Sequence, residues 1–588
     1  MSESKTYVRD ATGLVREIGV ITATIFILSN VIGGGWQKRV FQTTGWAPLH
    51  PDDMVLPVDP LVIAFLLTGI AALATVFVFA VMATAMPRAG GGYVYISRTI
   101  SPGIGFVAAW AEFLGIAISY GLIAVAVVEF TVLFMPVAGV DVGFLDNPVM
   151  YTIIGIIFIF AFAAIAFFGT SMTGKFLHVM FWIPAVITIG IYASLLLGAL
   201  NTSAVVDGVT SITGNTPNEW IAEAVAQGIN DARAPDYFTA VNTAILGAYW
   251  SWIGYAAISF AAGEVKESNR SLPISHLAAG FIILGVYMSI STLLSMAASV
   301  GDHSSGWKFF QALGFLNYGD TTGDPAISGY GWMPFVAVMA ADGLGFGYLA
   351  ILFAIAAVLW LANDLPPFIT TSSRILFAMS FDRALPEAFA KVDERWHSPT
   401  TAILFCAIVA IFGAFAEAGT FGRNGLYIPI LAEIIGNGIP ATDLFDGIFF
   451  TMACVSAIVL PGKLKDVYDR AAWKPKIGGM EAVVLIGIIA LIANIYLDLV
   501  ILGEFGILEP VTGMEAIPLI GAMPLIPSVD GLVPDFSSLD TIIDTFNWGF
   551  YTVLVLVIVG IVIYLYMRSY YTKKGVDFTT IYASIPPE

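Results

Sequence analysis

The chain of 588 residues is 58% hydrophobic and only 12% charged, with a mean hydropathy of +0.85 and a formal net charge of −18. That balance excludes a soluble globular protein of this size and fits an all-α polytopic membrane protein. The polar start "MSESKTYVRDATGLVRE" leads into an apolar segment without a small-residue cleavage site, so no cleavable signal peptide is expected.

Length and apolarity predict about twelve spans, centred in 16–36, 61–85, 103–131, 149–168, 176–199, 239–262, 276–299, 334–362, 400–417, 444–460, 482–502 and 547–568. The stretch "FGRNGLYIPILAEIIGNGIPATDLFDG" reads either as a loop or as a re-entrant piece, so the course of 418–445 stays open. An even number of spans puts both termini on one side. If that side is cytoplasmic, 20 of the 25 Lys and Arg lie inside, in the N-tail, "PRAGGGYVYISR", Lys175, "EVKESNR", Arg374 to Arg395, "KLKDVYDRAAWKPK" and the C-tail. Arg233, Lys308 and Arg423 lie outside, and Lys38 and Arg39 sit beside the glycines of the first span. The acidic excess sits in outer segments such as "LHPDDMVLPVDP", "GEFGILEPVTGME" and "VDGLVPDFSSLDTIID", and reads as a solvated surface. Cys406 and Cys454 lie in apolar segments, so no disulfide is expected. "NTS" at 201–203 is a weak glycosylation signal.

The first span carries "NVIGGGWQKR" at 30–39. Gly33, Gly34 and Gly35 read in two ways: as small residues for close helix packing, or as a break where the backbone unwinds. Lipid offers no partner to a bare N–H or C=O, so a break survives only against protein or a water-filled cavity. There, helix N-termini attract anions and bare carbonyls attract cations. A second interruption is expected in span six, "AILGAYWSWIGYAAISFAAGEVKESNRSLP", at Gly254 within an aromatic patch. Two breaks at similar depth point to a transporter built from inverted repeats.

"REIGVITATIFILSNVIGGGW", "MPRAGGGYVYISRTISPGIGFVAAW", "WIGYAAISFAAGEVKESNRSLP" and "SSRILFAMSFDRALPEAFAKV" follow one another in collinear order over 16–400. They resemble the first, third, sixth and eighth helices of the amino acid permeases of the amino acid–polyamine–organocation (APC) superfamily, with Pro87, Gly91, Tyr93, Trp110, Glu264, Arg270, Pro273, Arg374, Asp382 and Pro386 in the usual places. The resemblance implies five helices repeated upside down, with helices 1 and 6 broken, plus two accessory helices. On that scheme 1–15 is a cytoplasmic tail, 16–200 the first repeat, 201–238 an extracellular loop, 239–461 the second repeat, 482–568 the accessory pair and 569–588 the C-tail.

It further implies secondary transport of amino acids or related organic cations across the plasma membrane by alternating access, as H+ or Na+ coupled symport. An exchanger of the same fold, or less readily a substrate-sensing receptor, is the alternative. The substrate carboxylate would meet the N–H groups of Gly33, Gly34 and Gly35, and its amino group the carbonyls around Ser251, Trp252, Ile253 and Gly254. Trp252 and Tyr255 would wall or gate the pocket, and Trp36, unusual after the glycines, would narrow it. Arg39 resembles an outer-gate arginine of the sodium-coupled branch of this fold, with Asp443 or Asp446 as its partner; the alternative is an arginine at the membrane surface.

Acids inside spans are functional candidates by default. Asp364, beside Asn363 and ahead of Pro366 and Pro367, falls near the family's ion position between helices one and eight. Glu112, on span three, is a candidate proton carrier. Glu129 and Asp498 read as interfacial. Trp182 and Ile183 stand where some relatives place a coupling lysine, which leaves Na+ or a protonated carboxyl for that role. No enzymatic, cofactor or metal motif is present, and His50, His178, His276, His303 and His397 read as ordinary surface residues. The expected partners are the amino acid and the lipid bilayer, without nucleic acid, as a monomer or homodimer.

Overall fold

The computed structural model describes residues 12–586 apart from 57, 231–234, 320, 322–326, 328, 421–437 and 505–547. The acidic segments "GEFGILEPVTGME" and "VDGLVPDFSSLDTIID" lie largely or wholly outside the described residues, as do Arg233, Arg423 and most of 418–445.

The first span is two helices, α1 (Val20–Val31) and α2 (Gly35–Trp46). α3 (Pro60–Ala85) and α5 (Pro102–Phe134) flank the short α4 (Gly92–Thr99). Asp59 and Ser101 cap α3 and α5 by accepting from Leu61 and Ile104 N–H groups, and each is followed by Pro at the position where a missing N–H costs nothing. α6 (Pro148–Phe167) and α7 (Gly169–Leu200) follow, then α8 (Thr202–Thr213) and α9 (Pro217–Gln227). Span six is again split, into α10 (Tyr237–Trp250) and the one-turn α11 (Ala257–Phe260). The second half holds α12 (Ser268–Ala298), α13 (Phe309–Tyr318), α14 (Met333–Gly343), α15 (Ala350–Ala362), α16 (Leu365–Phe381), α17 (Thr400–Thr420) and α18 (Gly438–Lys463). α19 (Ala482–Glu504), α20 (Trp548–Lys573) and α21 (Phe578–Ala583) complete it.

Among the described residues, eleven segments are long and apolar enough to cross a membrane, and the split α10–α11 adds a twelfth crossing too short to count with them. One expected span moves. The segment at 334–362 divides into the short α14 and a composite span over Gly347–Phe381, jointed at Asn363 and Asp364 between α15 and α16. Gly345, at positive φ, ends α14, so apolarity alone ran two elements together.

α5 is the central post, packed against α4, α6, α15, α16, α17 and α18. It crosses α17 at backbone contact: a Cβ on Gly121 would lie 1.8 Å from the Ala410 carbonyl, and one on Gly413 2.0 Å from that of Ile118. Such small-residue crossings replace the hydrophobic effect that lipid does not supply.

Both termini lie at one end of the bundle, which is fastened by polar contacts. Glu17 and Ile18 N–H groups donate to the Glu264 carbonyl at 2.9 Å, and Lys266 N–H to that of Ile18 at 2.8 Å. Arg374 on α16 forms a two-pronged pair with Glu264, Nε–Oε1 2.8 Å and Nη2–Oε2 3.1 Å, and both side chains are 1% exposed. Arg98 on α4 pairs with both oxygens of Asp382 just past α16. The C-terminal segment closes over this pair. The Tyr582 ring lies 5.0 Å from the Arg98 guanidinium, its hydroxyl meets that of Tyr93 at 3.1 Å, and Arg88 Nε donates to the Pro586 carbonyl at 2.6 Å. His276, expected at the surface, is instead fully buried here, between the Ser259 hydroxyl at 2.8 Å and the Leu272 carbonyl at 2.7 Å.

Replacing Arg374 by Met strands a buried Glu264 carboxylate, and breaking such a pair costs about 3–5 kcal/mol. The double replacement Glu264→Gln with Arg374→Met is expected to cost much less. Thermal unfolding in detergent measures both, and a single variant that melts with the wild type refutes the assignment of this pair as a fastening.

Candidate functional site

The breaks in spans one and six lie side by side. α1 stops at Val31 and α2 starts at Gly35; Gly33 N–H turns back to the Val31 carbonyl at 2.9 Å. The N–H groups of Gly34 and Gly35, at the head of α2, donate to no protein acceptor among the described residues. Across from them α10 stops at Trp250 and the chain turns through 251–256, with Gly254 at φ +102°. A Cβ there would lie 2.1 Å from Asn30 Nδ2, so both conformation and space require glycine. Asn30 Nδ2 donates to the Gly254 carbonyl at 3.2 Å.

Tyr287 on α12 joins the two breaks. Its hydroxyl lies 2.7 Å from the Val31 carbonyl and 2.6 Å from that of Ser251, so one proton is shared between the last acceptors of two half-helices. Gln37 covers a further exposed carbonyl, donating Nε2 to Gly33 at 3.1 Å. The Trp252 and Ile253 carbonyls accept no hydrogen bond outside the helices from the described residues, and Asn30 Oδ1 is buried without a partner among them.

Both breaks open into one cavity of about 130 Å³, many times the space one water needs. Gly33, Gly34, Gly35, Ser251, Ile253 and Gly254 line it, as do Glu112 and Asp364. The other expected residues fall elsewhere. Trp36 is buried behind the break, its ring 6.3 Å from Tyr287, and does not narrow the cavity. Trp252 turns edge-on to Tyr287 and Tyr255 stacks on Phe450 at 4.7 Å, so neither walls it. The aromatic wall is Phe130, Trp250, Phe260, Trp332, Phe368 and Phe450. An aromatic-rich stretch names the patch but not which ring faces inward, because the unwound turn destroys the helical period on which such a reading relies.

Asp364 sits at the joint of α15 and α16, against the first break: a Cβ on Gly33 would lie 2.0 Å from its Oδ2. Its Oδ1, and both amide atoms of the fully buried Asn363, have no partner among the described residues. Asn363 does not line the cavity. Glu112 is 2% exposed with Oε2 unpartnered among those residues, and it lies within hydrogen-bonding reach of Asp446 on α18, which also lines the cavity.

This overturns Asp446 as the partner of Arg39. Arg39 instead interacts with Glu417 on α17 and lies over the Trp250 ring at 4.8 Å. Asp443 falls in α18, but its side chain lies outside the described residues. Away from the termini, the cavity ends among Lys38, Arg39, Glu129 and Glu417, with Lys38 5.0 Å over Trp332. Glu129 is therefore a buried cavity residue rather than an interfacial one. Asp498 likewise turns inward, packed against Gly447 and accepting from the Thr451 hydroxyl at 2.8 Å. Tyr287, Glu417 and the Glu112–Asp446 contact are the features sequence reasoning missed; only the intramembrane acids themselves carried a signal.

The chain matches the family described as "Amino acid permease" over residues 18–586. It is 24% identical over 432 residues to the glutamate/serine transporter AimA of Bacillus subtilis, covering 72% of this chain and 68% of that protein. It is 27% identical over 284 residues to the serine/threonine exchanger SteT of the same organism, covering 48% and 55% of the two chains, and 22% identical over 458 residues to its methylthioribose transporter, covering 77% and 83%. An almost wholly helical bundle with two spans interrupted at one cavity, matched by that family along nearly its whole length, belongs to the amino acid permeases, and hence to the APC superfamily.

Proposed function

We propose that this permease carries an amino acid across the plasma membrane by alternating access, with the zwitterion held between the two breaks. The observation that carries the reading is the pairing of opposite ends at one cavity: N–H groups of Gly34 and Gly35 at the head of α2 and, across from them, the carbonyl of Ile253, none of which has a hydrogen-bond partner among the described residues outside the helices. A helix N-terminus suits a carboxylate and bare carbonyls suit an ammonium, so the dipoles match a zwitterion at both ends. The side chain would then extend among Phe130, Trp250 and Trp332.

The Lys and Arg distribution favours a cytoplasmic position for the fastened, terminal end. On that orientation the Glu264–Arg374 and Arg98–Asp382 pairs hold the inner side shut, and the Lys38, Arg39, Glu129 and Glu417 cluster is the outer approach. Arg39 with Glu417 replaces the expected outer-gate pair. Carboxyls facing the cavity at Glu112 and Asp364 supply groups on which a driving H+ or Na+ can act, which favours symport. The SteT relative is named an exchanger, and that is the second reading.

Uptake of labelled amino acids into proteoliposomes, with serine and the acidic amino acids first, tests this with and without Na+ and a pH gradient. Accumulation against a gradient supports symport; a requirement for internal substrate supports exchange; the absence of both refutes transport at this site. Gly34→Val places its branch against Leu361 and Phe130, which a Cβ would already meet at 2.6 and 3.0 Å, and should abolish uptake in inserted protein. Gly254→Ala should do the same through Asn30. Wild-type uptake in either variant moves the substrate away from the breaks.

A further inference from the structure

Along α5, Glu112 stands ten residues, about 15 Å, from the terminal end of the helix. The neighbour within hydrogen-bonding reach is a second acid, Asp446, from a different helix. Both are buried, at 2% and 4% exposure, and both face the cavity beside the breaks.

Two carboxylates are acceptors only, and neither can hydrogen bond the other unless one carries a proton. Like charges at such range in a low-dielectric site cannot both persist. Among the described residues, no cation stands beside them to neutralise them. Tyr255, from the unwound turn of span six, is the titratable group beside both acids, with Cys454 behind it. From α17, Cys406 faces Ser372 and Arg374, and that arginine is held by Glu264. At the α15–α16 joint stands another acid, Asp364. Lys38 and Arg39, the basic residues on the cavity wall, are grouped with Glu129 and Glu417 at its other end, about 26 Å along α5 from Glu112. Glu112 Oε2 is buried and unpartnered among the described residues, which leaves the pair a second acceptor.

We propose that Glu112 and Asp446 form a proton-binding site: a carboxyl pair that holds one proton while α5 and α18 are in register, and releases it when they part. The driving ion of the transport proposed above is then H+, carried at the α5–α18 contact rather than at the α15–α16 joint. This rests on the transport reading and sharpens it. A substrate ammonium entering beside the breaks meets a pair whose charge is set by that proton, so occupancy of the two sites is linked.

The test uses the full chain in proteoliposomes containing a pH-sensitive dye, challenged with each of the twenty amino acids. A one-unit inward pH gradient on a single coupled proton sustains roughly tenfold accumulation, since one unit equals 1.36 kcal/mol. The wild type is expected to approach that ratio for its substrate and to acidify the lumen as it does so. Glu112→Gln and Asp446→Asn are each expected to lose the accumulation, and any counterflow they keep should not respond to pH. Accumulation at the wild-type ratio in either variant overturns the proposal, as does its loss in Asp364→Asn alone.

A substrate-free measurement separates this from the transport reading. Infrared difference spectra of the wild type in lipid nanodiscs, against the monodisperse double variant Glu112→Gln with Asp446→Asn, should show a protonated-carboxyl stretch at neutral pH. Identical spectra refute the pair. If no amino acid accumulates but the band is present, the transport reading fails and the proton site stands.

Discussion

Two helices stop in the middle of an apolar bundle, and the backbone groups left there have no lipid partner to turn to. Each unsatisfied group in such surroundings costs several kcal/mol. Tyr287 answers part of that cost from a third helix, setting one hydroxyl between the Val31 and Ser251 carbonyls. Asn30 and Gln37 answer more through Gly254 and Gly33. What these side chains leave uncovered is not random. Among the described residues, free donors remain at Gly34 and Gly35 and a free acceptor at Ile253, facing one cavity. The protein thus satisfies its own breaks incompletely and in a polarised way, and the remainder has the charge pattern of an amino acid backbone.

The same constraint explains the contrast between the two ends. Where the termini lie, polar groups are buried in matched pairs: Arg374 with Glu264, and Arg98 with Asp382. At the other end, Lys38, Gln42 and Glu417 are only half buried and line the mouth of the cavity. Full burial of paired charges makes a fastening, and half-buried charges beside a cavity make an approach. Between them lie three acids, Glu112, Asp364 and Asp446, with no base at their level among the described residues. A centre of that kind depends on a cation from outside the protein for its electrostatic balance.

Much of this was legible in the sequence, and the parts that were not share a cause. Hydropathy placed eleven of the twelve spans closely because lipid imposes a length on any apolar helix. The breaks were legible because two glycine interruptions fall at similar depth in spans one and six, where one cluster alone would suit close helix packing equally, and Gly254 proved to need both its positive φ and its missing side chain. The span at 334–362 was misplaced because α14 is as apolar as a spanning helix but ends after eleven residues. Pairings across helices were illegible: Glu264 and Arg374 stand in separate motifs 110 residues apart, and no periodicity announces that they meet. Trp250 ends α10 and Trp252 lies two positions on, in the unwound turn, and only the fold decides which ring reaches the cavity.

The C-terminal segment has a consequence for how the molecule is made. Arg98 emerges early in synthesis, yet the ring that covers it belongs to Tyr582, and its neighbour Arg88 is held by the carbonyl of Pro586. Until synthesis has reached those residues, the guanidinium side of the Arg98–Asp382 contact lacks its roof. The terminal face therefore closes only after a stretch of chain nearly five hundred residues long has followed Arg88 out of the ribosome.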